Sequence, residues 1–257
     1  MPLCADLHYR SYHKDTGKFA FPVILLHGAG ASLMAWPSSL RRLPAQPVFA
    51  LDLPGHGHSK APALRSMHRL VDRLHTFVIE MGFYHVVLVG YSLGAALAFS
   101  YACAHPQHTH ALAAICCGGK LDVPPEWVSM MRVPARTRKV VESFSRAAFH
   151  PKFPQSERRP LLAPMAEIET EVLRTDFLLG SRFGFQYQAA SLPIPAILLG
   201  GSHDRIAPPV SLLRASRSFE NASVHFIQDA GHMLIYEKTE EVRRLLSDFL
   251  SKTNPSV

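Results

Sequence analysis

Short apolar runs recur along this chain, and stretches of helical periodicity separate them. Pro22–Leu26, Val48–Leu51, His85–Val89, Ala111–Cys116, Ala196–Leu199 and Ser223–Ile227 each read as a strand. Most of them lack the polar/apolar alternation of a half-exposed strand, so they predict strands buried on both faces. Between them, Met67, Leu70, Val71, Leu74, Phe77, Val78 and Met81 recur at three- and four-residue steps, which predicts an amphipathic helix that stops at Gly82. Val242, Leu245, Leu246, Phe249 and Leu250 repeat the pattern near the end, with Glu240 and Glu241 in a favourable first turn. An early strand pair is expected around Leu7 to His13. Buried strands alternating with helices specify an α/β fold: a mostly parallel central sheet with helices on both faces.

The alternation pauses between about Gly119 and Leu192, in a stretch rich in proline, with helical fragments between the prolines. A long interruption of a regular array is more often functional than accidental. We expect one domain over 1–257, with a core of 1–118 and 193–257 and a helical lid inserted at 119–192. Trp127, Met130, Met131 and Phe144, the cluster Phe183, Phe185 and Tyr187, and Met233 beyond the lid are the apolar residues expected to meet a substrate.

Other classes are excluded by composition. A chain of 257 residues that is 47% hydrophobic and 18% charged has the composition of an ordinary folded protein and is not disordered. No apolar run approaches the ~18 residues that a bilayer-spanning helix needs. The start lacks the basic and then apolar pattern of a secretory signal. Four cysteines, two of them adjacent at Cys116 and Cys117, do not form a disulfide framework, and a reduced, cytoplasmic protein is expected. Lys and Arg number 27 against 20 acids, giving +7 with the 15 histidines neutral. Nine Lys/Arg against four Asp/Glu fall between Lys120 and Pro160, and the next stretch to Leu192 reverses to two against four. That segregation does not resemble a nucleic-acid footprint with interleaved stacking aromatics. It fits steering of an anionic substrate or of an acidic acyl-carrying protein, which added salt would weaken.

Gly90-Tyr91-Ser92-Leu93-Gly94 follows a strand and opens a helix through Ala95, Ala96, Leu97 and Ala98. Such a turn holds its central serine in strained geometry, with the hydroxyl projecting above the sheet beside a helix N-terminus. A serine hydroxyl needs a base to become a nucleophile. His232 follows the last strand, and Asp204 follows the one before it. All three therefore leave carboxyl ends of strands, where open α/β sheets build their sites. Asp122, after the fourth buried strand, is an alternative acid. His27-Gly28-Ala29-Gly30 follows the first buried strand and precedes an expected helix containing Trp36 and Leu40. It can turn the Ala29 N–H into the site beside that of Leu93, while His27 braces the loop and Asp52 holds the segment Pro54 to Ser59. His56, His58 and His203 read as structural or solvent-facing, and no spacing suggests a metal site.

Taken together, His27-Gly28-Ala29-Gly30, Asp52-Leu53-Pro54-Gly55-His56-Gly57-His58-Ser59, Gly90 to Gly94, the Asp204 turn and Gly231-His232 resemble the α/β-hydrolase superfamily from about Phe21 to Leu250. The resemblance implies Ser92 as nucleophile, His232 as base, Asp204 as its orienting acid, and the Ala29 and Leu93 amides as oxyanion hole. It implies hydrolysis of a small or medium carboxylic ester without cofactor or metal. Serine at 92, where dehalogenases and epoxide hydrolases of the superfamily have Asp, argues against those activities. Two other readings share the same residues: carbon–carbon bond hydrolysis or the menaquinone-pathway synthase reaction, which call for an Arg such as Arg132, Arg136, Arg138 or Arg146 on a substrate carboxylate, and a small-molecule receptor that keeps its triad.

Overall fold

The computed structural model describes residues 2–12, 21–44, 46–119, 121–184 and 192–253. Its strands are β1 (Leu3–Cys4), β2 (Leu7–Tyr12), β3 (Val23–Leu26), β4 (Val48–Leu51), β5 (Val86–Tyr91), β6 (Thr109–Ile115), β7 (Leu192–Gly201) and β8 (Phe219–Ile227). They form one sheet in the order β1-β2-β4-β3-β5-β6-β7-β8. The β1–β2 and β2–β4 pairings are antiparallel, and β4 onwards is parallel throughout. All of β3, β4 and β5 is buried, as unalternating apolar strands require, whereas the edge strand β8 is largely half-exposed.

The chain runs outward from β3 to β4, then returns past β3 to β5 and continues the other way. At that reversal the loops after β3 and β5 diverge and leave a crevice at the carboxyl edge. The helices are α1 (Ser38–Arg41), α2 (Met67–Glu80), α3 (Leu93–Ala104), α4 (Pro125–Met130), α5 (Thr137–Ala148), α6 (Gln155–Glu167), α7 (Thr170–Arg182), α8 (Pro209–Ser216), α9 (Leu234–Glu237) and α10 (Thr239–Thr253). Leu70, Val71, Leu74, Phe77 and Val78 are the buried stripe of α2, and Gly82, at φ +70°, follows its last turn.

Helices α4 to α7 fall between β6 and β7 and close over the crevice. Met165 of α6 and Leu173 of α7 approach Gly30 so nearly that a Cβ there would meet them at 2.9 and 2.7 Å. Two expectations are corrected. Trp36 and Leu40 do not share a helix: Pro37 forces Trp36 into extended backbone between a 3-10 turn, Leu33–Ala35, and α1. Pro160 and Pro164 do not separate helical fragments but lie within α6. Their four-residue spacing puts both rings on one face of that helix, and both line the cavity beneath it.

Candidate active site

The turn between β5 and α3 holds Ser92 at φ 54°, ψ −115°, a conformation a side-chain-bearing residue adopts at a cost on the order of 1–3 kcal/mol. The flanking glycines permit it. A Cβ on Gly94 would strike the Leu26 carbonyl, and one on Gly90 would strike the backbone of Ala95. Strand and helix thus approach closely, and the serine side chain stands above the sheet at the cavity floor.

Ser92 Oγ lies 2.8 Å from His232 Nε2. On the far side of that ring, Nδ1–H donates to the Asp204 carboxylate, 2.9 Å from Oδ2 and 3.1 Å from Oδ1. Because the carboxylate can only accept, Nε2 of the neutral ring is left to accept from the Ser92 hydroxyl. Asp204 Oδ1 also takes the amides of Ile206 (2.8 Å) and Ala207 (2.7 Å), which fix the carboxylate plane. All three side chains are buried. Asp122 is not the partner of this histidine; Asp204 is.

The His232 loop is clamped from both sides. The His232 amide donates to the Ala148 carbonyl at the end of α5 (2.6 Å), and Tyr91 donates its hydroxyl to the His232 carbonyl (2.9 Å). Glu237 bridges the same seam, accepting from the Gly231 amide at 3.1 Å and the His150 amide at 2.9 Å. Burial raises the Glu237 carboxyl above its ordinary range. The imidazole is therefore positioned partly by the inserted helices, not by the sheet alone.

Ala29 and Leu93 both line the cavity, and among the described residues neither amide has a protein acceptor. Leu93 is the first residue of α3, whose N–H points outward at the positive end of the helix dipole. His27 braces the neighbouring loop: Nδ1–H donates to the Gly28 carbonyl (2.8 Å), and Nε2 accepts from the Leu53 amide (3.0 Å). Burial, reinforced by the His56 charge, lowers its pKa to about 4 and keeps it neutral. Asp52 ties three segments together by accepting from Leu33 N, His58 N and His8 Nδ1.

The cavity holds about 220 Å³. Its roof comes from α6 and α7, with Leu161, Leu162 and Met165 on the first and Phe177 on the second. Phe144 and Met233 also line it, but Trp127, Met130 and Met131 do not. Trp127 instead packs behind the wall, its ring 6.2 Å from Phe144 and 6.0 Å from Phe177, and Met131 is buried in the insertion. Which face of an inserted helix turns inward is set by tertiary packing, so hydrophobicity alone misplaced them. Phe183 is buried without lining the cavity, and Phe185 and Tyr187 fall outside the described residues. Sequence reasoning missed Tyr91, Glu237 and Asp176. Asp176 had a signal, since it falls in the apolar stripe of α7 between Leu173 and Phe177.

Cys116, Asp204 and His232 bring potential ligand atoms within 4.8 Å of one another. Burial drives the Cys116 thiol well above its ordinary pKa, so it stays protonated, and His232 Nδ1 is already engaged by Asp204. That arrangement suits a hydrogen-bond network better than a cation. Among the described residues, no helix is long and apolar enough to cross a membrane.

Comparison with known proteins agrees with this architecture. A family model described as the alpha/beta hydrolase fold matches residues 22–239. The mouse (Mus musculus) protein ABHD8 is 26% identical over 242 residues, which cover 89% of this chain and 54% of that protein, so the chain spans about half the length of this relative. A 2-succinyl-6-hydroxy-2,4-cyclohexadiene-1-carboxylate synthase from Enterobacter sp. (strain 638) is 28% identical over 252 residues, covering 91% of this chain and 93% of that one. Among solved structures, the enol-lactonase from Burkholderia xenovorans LB400 superposes with a TM-score of 0.83 at 19% identity, over 95% of this chain and 96% of that one.

Proposed function

Since this chain belongs to the α/β-hydrolase fold family, we propose that it is a serine hydrolase cleaving a small or medium carboxylic ester through an acyl-enzyme. The observation that carries this reading is the unbroken line from the Asp204 carboxylate through His232 to the Ser92 hydroxyl, ending in an apolar cavity beside two unengaged amides. As Ser92 Oγ attacks the carbonyl, His232 Nε2 takes its proton. The imidazolium that forms is stabilised by Asp204. The Ala29 and Leu93 amides hold the tetrahedral oxyanion, a role in which one donor is typically worth 10²–10³ in rate. His232 then protonates the departing alcohol and activates the water that releases the acid. Helices α4 to α7 act as the lid that excludes bulk water and selects the acyl group.

The 28% identity to the synthase favours a second reading, elimination or carbon–carbon cleavage on an anionic substrate. The cavity lining weighs against it. No Lys or Arg occurs among the described lining residues, and the one carboxylate that faces the cavity besides the triad is Asp176. Of the insertion's arginines, Arg132 borders a separate surface hollow and Arg146 is exposed, bonded to Ser143. The same lining argues that neutral esters are preferred to anionic ones. It leaves the basic charge of the insertion as the sole support for an acidic acyl-carrying partner. The test is a panel of neutral p-nitrophenyl esters graded in acyl length, with a paired diketone, assayed on the wild type and on Ser92→Ala. Multiple turnover of esters, lost in the variant, supports the reading. Cleavage confined to the diketone, or ester turnover retained without Ser92, overturns it.

A further inference from the structure

Asp176 is an unusual residue to find in an apolar roof. It projects from α7 into the cavity between Leu173, which packs on Gly30, and Phe177, and only about a twentieth of its surface is exposed. One carboxylate oxygen is doubly engaged. Oδ2 accepts from the Gly30 amide at 2.8 Å and from His56 Nε2 at 2.9 Å. The other oxygen, Oδ1, has no partner among the described residues, and Asp176 is one of the residues that line the cavity.

The charge state of the pair follows from its bonds. His56 Nδ1 lies 3.0 Å from the Pro54 carbonyl, which can only accept, and Nε2 faces a carboxylate. A ring that donates from both nitrogens is an imidazolium. His56 and Asp176 therefore form a buried ion pair with no net charge. Burial alone would push the imidazole down, but the Asp176 carboxylate raises it above the ordinary histidine range. The unpartnered oxygen is thus a strong acceptor in an electrically balanced pair, so it suits a neutral donor more than a cation and repels a carboxylate.

We propose that Asp176 is a specificity-determining residue whose free oxygen accepts a hydrogen bond from a neutral hydroxyl group carried by the substrate. The inference rests on the ester-hydrolase reading and adds the substrate class: a neutral ester bearing a hydroxyl on its acyl or its alcohol part. A site with a buried acceptor rejects an analogue that lacks the matching donor, because binding strips water from the acceptor and returns nothing. A purely aliphatic ester therefore pays that penalty, while a hydroxylated one does not.

Two matched pairs test it on the intact protein. One compares p-nitrophenyl 3-hydroxybutyrate with p-nitrophenyl butyrate, and the other 2-hydroxyethyl butyrate with propyl butyrate. The hydroxylated member of at least one pair is expected to have about tenfold higher kcat/KM. In Asp176→Asn, which is isosteric and exchanges the free acceptor for a donor, that ratio is expected to fall to about one. A ratio near one for both pairs in the wild type, or an unchanged ratio in the variant, overturns the proposal. The wild-type contrast needs no variant, so it survives any folding defect in Asp176→Asn. A calorimetric comparison of octan-1-ol with its near-isosteric ether 1-methoxyheptane reads the same preference without turnover. If no ester is cleaved but the alcohol still binds about tenfold more tightly than the ether, the hydrolase reading fails and the assignment of Asp176 stands. Equal binding overturns the assignment whatever the chemistry.

Discussion

The floor and the roof of the cavity are built on different principles. On the floor, each chemical group sits at the end of a strand or at the first residue of a helix. Ser92 is held by a strained turn between close-packed glycines, and Asp204 is fixed by two backbone amides. On the roof, the groups that face inward come mainly from α6 and α7 and owe their direction to side-chain packing, with the buried ion pair Asp176–His56 crossing the seam. A floor made of backbone constraints fixes its side chains through local geometry. A roof made of side chains can change its lining without disturbing the floor. On the proposed reading, chemistry and substrate choice would be carried by separable parts of this chain, joined where Ala148 and Glu237 grip the His232 loop.

The largest effect should come from the floor. Ser92→Ala is expected to lower kcat by about 10⁴-fold or more, and Asp204→Asn by about 10⁴-fold through the wrong imidazole tautomer. Thermal melting of Ser92→Ala should show little loss of stability, since the hydroxyl is spent on chemistry and not on packing. A large drop in its Tm would mean that floor and fold are not separable.

The roof should respond in the opposite way. Trp127→Ala removes a ring buried against Phe144 and Phe177, and is expected to cost about 3–5 kcal/mol in denaturant unfolding. Its residual activity should still depend on Ser92. Replacement of Leu161, which lines the cavity, by Trp should instead narrow the acyl range, read as a shift of the ester-length profile towards shorter chains.

The seam between the two parts should show in the pH dependence of stability. His27, with a folded pKa of about 4, contributes stability fully above its unfolded value near 6.5. That contribution is lost as pH falls from about 6.5 to 4, and amounts to roughly 3 kcal/mol at 1.36 kcal/mol per unit. His56 has the opposite sign. Its folded pKa is raised, so its contribution is complete below the unfolded value and is lost as pH rises through the folded one. Melting curves from pH 4 to 9 should therefore fall away on both sides. His27→Gln should flatten the acid limb, and Asp176→Asn the alkaline limb. A profile unchanged in both variants would break the assignment of the seam.

The smallest expected effect is that of salt. With no Lys or Arg on the described cavity lining, kcat/KM for neutral esters should change less than about twofold between 50 and 500 mM salt. A steep fall for an anionic ester, against a flat profile for its neutral counterpart, would instead support electrostatic steering by the basic insertion.

The floor was legible in the sequence because its constraints are local. A buried strand followed by Gly-x-Ser-x-Gly and a helix admits few geometries, and motifs at successive strand ends in a parallel sheet must share an edge. Even so, local reasoning failed where one residue overrode a pattern. Pro37 broke the helix expected over Trp36 and Leu40, and Pro160 and Pro164 were absorbed into α6. The roof was legible only as an insertion. Its aromatic residues announce burial but not the surface they bury against, so Trp127, Met130 and Met131 were expected in the cavity while Leu161, Leu162 and Met165 line it. Asp176 was the readable exception, since a carboxylate within an apolar helical stripe needs a partner, and its partner is 120 residues away at His56.

The most direct test of the central claim is to trap the acyl-enzyme. After mixing with a slowly deacylating p-nitrophenyl ester and quenching in acid, intact-mass and peptide analysis should find one acyl group on the peptide containing Ser92, and none on Ser92→Ala. Ester turnover with the acyl group on another residue, or with no covalent intermediate on Ser92 at any quench time, would contradict the account.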